Sequence, residues 1–120
     1  MTEFNTDGYA DLRTYLQSNW NHIAILDDTG SEQLRWDVDA NGNTSWTSGP
    51  SSNPLTAELV VTGQDIQDAG GSLPVTLTKT EAYKSSSATT VMGSDTMADA
   101  TLEASGDEVT ISHDYEMPQI

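Results

Sequence analysis

The chain has 120 residues, no cysteine and a formal net charge of −15, the balance of 19 Asp and Glu against four Lys and Arg. That length suits one domain, expected over residues 1–120, whose core has neither a disulfide framework nor a thiolate metal site to reinforce it. Arg13, Arg35, Lys79 and Lys84 are too few and too scattered to follow a phosphate backbone, so no nucleic-acid partner is expected. Apolar runs as short as Ile23 to Leu26 predict no membrane span, and the acidic N-terminus does not read as a Sec signal. Self-repulsion on this scale opposes compaction in dilute buffer and is screened in concentrated salt, which is the charge pattern of a halophilic surface. Three Trp, four Tyr and several β-branched runs supply apolar material that disordered acidic chains lack.

The first predicted element is a helix over about residues 7–20, because Tyr9, Leu12, Leu16 and Trp20 recur at spacings of three and four; Thr6 or Asp7 is placed to cap it. His22 to Leu26 follows without alternation, as in a strand covered on both faces, with the helix as the expected second cover. After the turn at Asp27-Asp28-Thr29-Gly30, residues Glu32 to Asp37 alternate and predict a strand that turns back as a hairpin. A three-residue loop at Ala40-Asn41-Gly42, with Gly42 at positive φ, would set Trp36 across from Trp46.

Ser48 to Pro54 has the composition of a mobile loop. Leu55 to Thr62 and Leu73 to Thr78 alternate as strands, the second at an edge because Pro74 cannot donate to a ladder. Gly63 to Ser72 between them reads as a loop that hooks Ile66 inward. Lys84 to Ser87 is a polar turn, Thr89 to Met97 is weakly patterned, and Ala100 to Ala104 predicts a short strand. Ser105-Gly106-Asp107 turns the chain into a last strand with Val109, Ile111, His113, Tyr115 and Met117 on one face. One N-terminal helix and about seven short strands predict a mainly β fold: a single antiparallel β-sandwich, jelly-roll-like.

Catalytic signatures are missing. The chain has no nucleophile elbow and no phosphate loop, and acid pairs such as Asp37 with Asp39, or Asp95 with Asp99, are expected by composition alone, so no enzyme and no cofactor is predicted. His113 lies on an apolar strand face and reads as a hydrogen-bonded core or interface residue; His22 merely starts a strand. Asp37, Asp39 and Asn41, followed by Gly42, match the opening of a calcium loop, but Ser48 stands at the twelfth position where a bidentate Glu belongs. Aromatic and apolar residues near the ends, namely Tyr9, Tyr15, Tyr115, Met117 and Ile120, are candidates for an interface.

The order of elements resembles that of small structural proteins of tailed phages. A helix leads into an Ile/Leu/Ala strand, then a charged strand with an arginine, Glu32-Gln33-Leu34-Arg35-Trp36, then an apolar strand from Leu55 to Thr62. Val75 to Tyr83, Ser85-Ser86-Ser87, and the strand introduced by Gly106-Asp107 fill the places that complete the sandwich in that family. The resemblance implies a non-catalytic virion component of the tail, fibre or baseplate region, or a capsid decoration or turret protein, with itself and other virion proteins as partners. Combined with the acidity, it points to a haloarchaeal tailed virus. A carbohydrate-binding module using Trp36, Trp46 or tyrosines as stacking platforms is the alternative, and a small carboxylate-dependent hydrolase the weaker one.

Overall fold

Apolar residues in unbroken sequence need cover on both sides, and β1 (His22–Asp27) receives it inside a four-stranded antiparallel sheet. A computed structural model describes residues 4–117 and, among them, α1 (Thr6–Asn19), β2 (Glu32–Asp37), β3 (Thr44–Trp46), β4 (Leu55–Thr62), α2 (Gly63–Asp68), β5 (Val75–Tyr83), β6 (Gly93–Leu102) and β7 (Glu108–Tyr115). Strand order is β2-β1-β5-β6 in one sheet and β3-β4-β7 in the other. Ile23, Ile25 and Leu77 from the first sheet and Leu55, Leu59 and Ile111 from the second share one core, so the fold is an antiparallel β-sandwich with an N-terminal helix.

The second cover of β1 is not the helix. Ala24 and Leu26 pack under Tyr83, with Ala88 against them. Arg35 holds this layer down: its guanidinium carbon lies 3.6 Å from the Tyr83 ring centroid, and Nη1 donates to the carbonyls of Ser85 at 3.0 Å and Ala88 at 2.8 Å. Glu32 accepts from Nη2 at 2.7 Å. The charged strand and the serine-rich turn are thus tied together by one side chain.

In α1, Leu16 and Trp20 reach the core, but Leu12 is exposed and the residue fully buried is Arg13. Arg13 Nε donates to the Pro50 carbonyl at 2.6 Å, which pins the Ser48–Pro54 segment to the helix. Asn53 adds a two-way clasp, exchanging hydrogen bonds with the Met117 backbone at 2.9 and 3.1 Å. Neither Thr6 nor Asp7 caps the helix; the N-cap is Asn5, without a side-chain bond.

The expected Trp36/Trp46 hairpin does not form. β2 pairs with β1 and β3 with β4, so the chain crosses from one sheet to the other between Asp37 and Thr44. Gly42 is not at positive φ, a conformation taken here by Gly30 and Gly70. The crossing is stabilised by side chains rather than by a ladder: Thr44 Oγ1 donates toward the carbonyls of Val38 and Asn41, at 2.8 and 2.7 Å, and both indoles pack on the common core.

β4 and β7 behave as their alternation predicts. Leu55, Ala57, Leu59 and Val61 are fully buried, opposite Tyr115, His113, Ile111 and Val109. Ile66 is buried as expected, but on a short helix and not a loop. Thr62 and Asp65 close a capping box, Thr62 Oγ1 accepting from the Asp65 amide and Asp65 from the Thr62 amide.

β5 corrects the reading of Pro74. The strand is interior, between β1 and β6, and starts at Val75, so Pro74 precedes the ladder and has no bond to withhold. Register shifts beside Thr78 on both neighbours mark a bulge. Val75 and Leu77 face the core before it, Thr80 and Ala82 after it, and this change of phase hides the second half of the strand from a period-two search. β6 begins at Gly93 and ends at Leu102, longer than the predicted segment, because it is an edge strand with mostly polar residues on its open side.

Candidate functional site

Where the last turn of α1 faces the start of β6 and the end of β7, the sandwich leaves a cavity of about 320 Å³. Leu16 and Trp20 line it from the helix, Met92 to Asp95 from the first sheet, and His113 to Glu116 from the second. The sequence placed His113 on the inward face of its strand, and it is 1% exposed. Its Nδ1 lies 2.7 Å from Thr80 Oγ1, across the core in β5. Thr80 Oγ1 also lies 3.4 Å from the Asp95 carbonyl oxygen, so this hydroxyl links β7, β5 and β6 beneath the cavity. Nε2 makes no hydrogen bond among the described residues.

Burial lowers the His113 pKa to about 4, against the opposing pull of the Asp95 and Asp114 charges. The folded state therefore keeps the ring neutral while the unfolded chain protonates it near 6.5. This contribution to stability is complete above pH 6.5 and is lost as pH falls toward 4, a change of about 3 kcal/mol. Urea titrations of the native chain and of His113→Gln across that range isolate it, since acid-induced loss of carboxylate repulsion is common to both. The native chain should lose stability relative to the variant as pH drops; parallel curves would show that His113 does not resist protonation.

Tyr115 completes the inner wall, edge-on to His113 at 4.7 Å and tilted against Trp46 at 5.9 Å between centroids. Its hydroxyl donates to the Trp20 carbonyl, closing the C-terminal end of the helix onto the last strand. Burial first, then the Asp39 charge, raises its pKa. Asp95 Oδ2 accepts the Asp114 amide at 2.9 Å, joining the edges of the two sheets, and Asp114 Oδ1 accepts from Thr56 at 2.8 Å. The Trp20 indole nitrogen is buried without a partner among the described residues.

The calcium-like residues have other work. Asp37 Oδ1 accepts the Asp39 amide at 3.0 Å, Asp39 accepts from Asn21 at 2.8 Å and from the Trp46 indole at 2.9 Å, and Asn41 Oδ1 accepts the Asn43 amide at 2.8 Å. These bonds hold the crossing between sheets, and no three His, Asp or Glu among the described residues are grouped to hold a metal. Asp27 and Asp107 do the same at other turns. Asp27 takes bonds from Thr29 and Ser31, and Asp107 from the Glu103 and Ala104 amides, which lower both pKa values.

A second, shallower cavity of about 340 Å³ sets Trp36 beside His22, Arg35, Asp37 and Asn41. Of the interface candidates, Tyr15 is 53% exposed and shares α1 with exposed Leu12, while Phe4, also exposed, stacks edge-on against Tyr9 at 5.5 Å. Tyr115 is spent inside the core and is not a surface residue of this chain; Met117 is half-buried, and Ile120 lies outside the described residues. Thr80, Asp95 and Trp20 were not singled out by the sequence as companions of His113, because they reach it from three other elements. No family model, curated protein or solved structure matches the chain.

Proposed function

We propose that the chain is a non-catalytic assembly module whose α1 face packs against a second copy, and that it serves in the virion of a haloarchaeal tailed virus, in the tail or baseplate region or as a capsid decoration. The exposed apolar set of Phe4, Leu12 and Tyr15 on and beside one helix carries the assembly reading. A domain this acidic places polar groups outward almost everywhere, so three large apolar side chains at one end call for cover. The virion reading is supported by the element order that resembles small tailed-phage proteins, together with the acidic surface. Light scattering in molar salt tests the assembly. The intact chain should self-associate and Leu12→Ser/Tyr15→Ser should remain monomeric with unchanged circular dichroism; an intact chain that is monomeric at every concentration overturns the reading. Capsid, portal or tail-tube genes beside the encoding gene would support the virion context.

The glycan-binding alternative has one observation of its own, the cavity that groups Trp36 with His22, Arg35, Asp37 and Asn41. An aromatic face beside donors and acceptors suits a sugar ring. Quenching or shift of Trp fluorescence on titration with cell-surface glycans, abolished by Trp36→Ala, would favour it.

A further inference from the structure

The sequence holds a single Asn-Gly step, Asn41-Gly42, and the fold places it where the chain crosses from one sheet to the other. We propose that Asn41 is a self-modification site: the Gly42 amide nitrogen closes on the Asn41 side chain and expels ammonia, and water opens the resulting succinimide to aspartate or isoaspartate. The reaction needs only water and is independent of what the chain assembles with.

The turn supplies each part of that reaction. Its nucleophile is free: the Gly42 N–H makes no hydrogen bond among the described residues, and Gly42 is exposed, with nothing within 4 Å of the place a Cβ would take. The electrophile is held and polarised. Asn41 Oδ1 accepts the Asn43 amide at 2.8 Å, which folds the carboxamide back over its own backbone and stabilises the oxyanion as nitrogen adds to Cγ. Asn41 Nδ2, the leaving group, donates to nothing among the described residues, and Asn41 lines an open cavity that water can enter. Gly42 nitrogen gives its proton to a solvent base, the N–Cγ bond forms, and the Cγ–Nδ2 bond breaks as ammonia takes up a proton. Water then adds to one of the two imide carbonyls and that C–N bond breaks. The net change is amide plus water to carboxylate plus ammonium.

The other asparagines lack this combination. Asn53 precedes Pro54, which has no N–H. After Asn19 the Trp20 N–H is committed to the Leu16 carbonyl at 2.8 Å, and after Asn43 the Thr44 N–H is committed to the Asn41 carbonyl at 3.2 Å. Asn5 and Asn21 precede Thr6 and His22, whose side chains crowd an approach that glycine leaves open. Either product adds a carboxylate to the cavity wall that Asn41 shares with Asp37 and Trp36. Isoaspartate goes further. It lengthens the main chain by a methylene and turns the carbonyl that accepts from the Thr44 amide and, at 2.7 Å, from Thr44 Oγ1 into a free carboxylate. Those bonds fix the start of β3, so the crossing between the sheets loosens as the protein ages.

Incubation of the full chain in molar salt at mildly alkaline pH, followed by peptide mapping with mass spectrometry and isoaspartyl methyltransferase labelling, reads the site directly. Conversion at Asn41 should outpace every other asparagine by about tenfold, and should run in the folded chain within a few-fold of its rate in urea. Gly42→Ala is the control, because a Cβ there meets nothing and Gly42 is not at positive φ. It should keep the native circular dichroism and slow the conversion by about tenfold. The isoaspartate form, resolved by anion exchange, should unfold at lower denaturant than fresh protein. Equal conversion at the other asparagines, conversion confined to the urea-unfolded chain, or an undiminished rate in Gly42→Ala overturns the inference. Converted protein as stable as fresh protein overturns the loosening of the crossing.

Discussion

Dialysis of the isolated chain from molar salt to tens of millimolar is expected to unfold it cooperatively, with loss of the β circular-dichroism signal. The chain carries 19 acids against four bases, and three of those bases are already engaged. Arg13 is buried against a carbonyl without a carboxylate partner, and Arg35 and Lys79 each neutralise one glutamate. Most carboxylates therefore face others of like sign. At a Debye length of about 3 Å they scarcely interact, and at 10 Å or more their repulsion adds across the surface. A domain stability of about 5–15 kcal/mol leaves little margin against that sum. Equal stability of the monomer at both salt concentrations would remove the halophilic reading, and a Lys or Arg substitution at an exposed acid such as Asp99 should shift the midpoint to lower salt if it holds.

Gly63→Ala should be the most damaging of the glycine substitutions. Gly63 begins α2 directly after β4, its amide donating to the Asp107 carbonyl at 2.9 Å. A Cβ built there would lie 2.1 Å from the Ala104 carbonyl oxygen and 3.0 Å from a Leu73 methyl. The neighbour is backbone, and it sits in the turn that Asp107 fastens between β6 and β7, so neither side can yield without moving the connection between sheets. The expected loss is about 3 kcal/mol or more, beyond the usual cost of overpacking. Gly106→Ala in the same turn meets nothing within 4 Å and should change stability by less than about 1 kcal/mol. Chemical denaturation of the two variants decides the matter; equal midpoints would show that the turn relaxes freely.

Only part of the cavity beside His113 is legible in the sequence. Alternation from Val109 to Met117 puts His113 on the inward face of its strand, since a period of two is local information. Its partners are not legible in the same way. Thr80 lies 33 residues away and faces the core only because the bulge beside Thr78 reverses the strand's phase. Asp95 sits in a strand whose polar, edge-exposed pattern resembles a loop.

By itself the sequence determined the acidic shell, the absence of thiol chemistry, the N-terminal helix, the doubly covered first strand and the two alternating strands of the second sheet. Composition and short-range periodicity carry these, because each depends on residues a few positions apart. Only the tertiary structure decided that Glu32–Asp37 and Thr44–Trp46 belong to different sheets, that Arg13 rather than Leu12 is the buried face of the helix, and that Tyr115 closes the core instead of covering a partner. Which sheet a strand joins, and which side chain a helix buries, depend on the shape of the surface that meets it, and that surface is assembled from segments far apart along the chain.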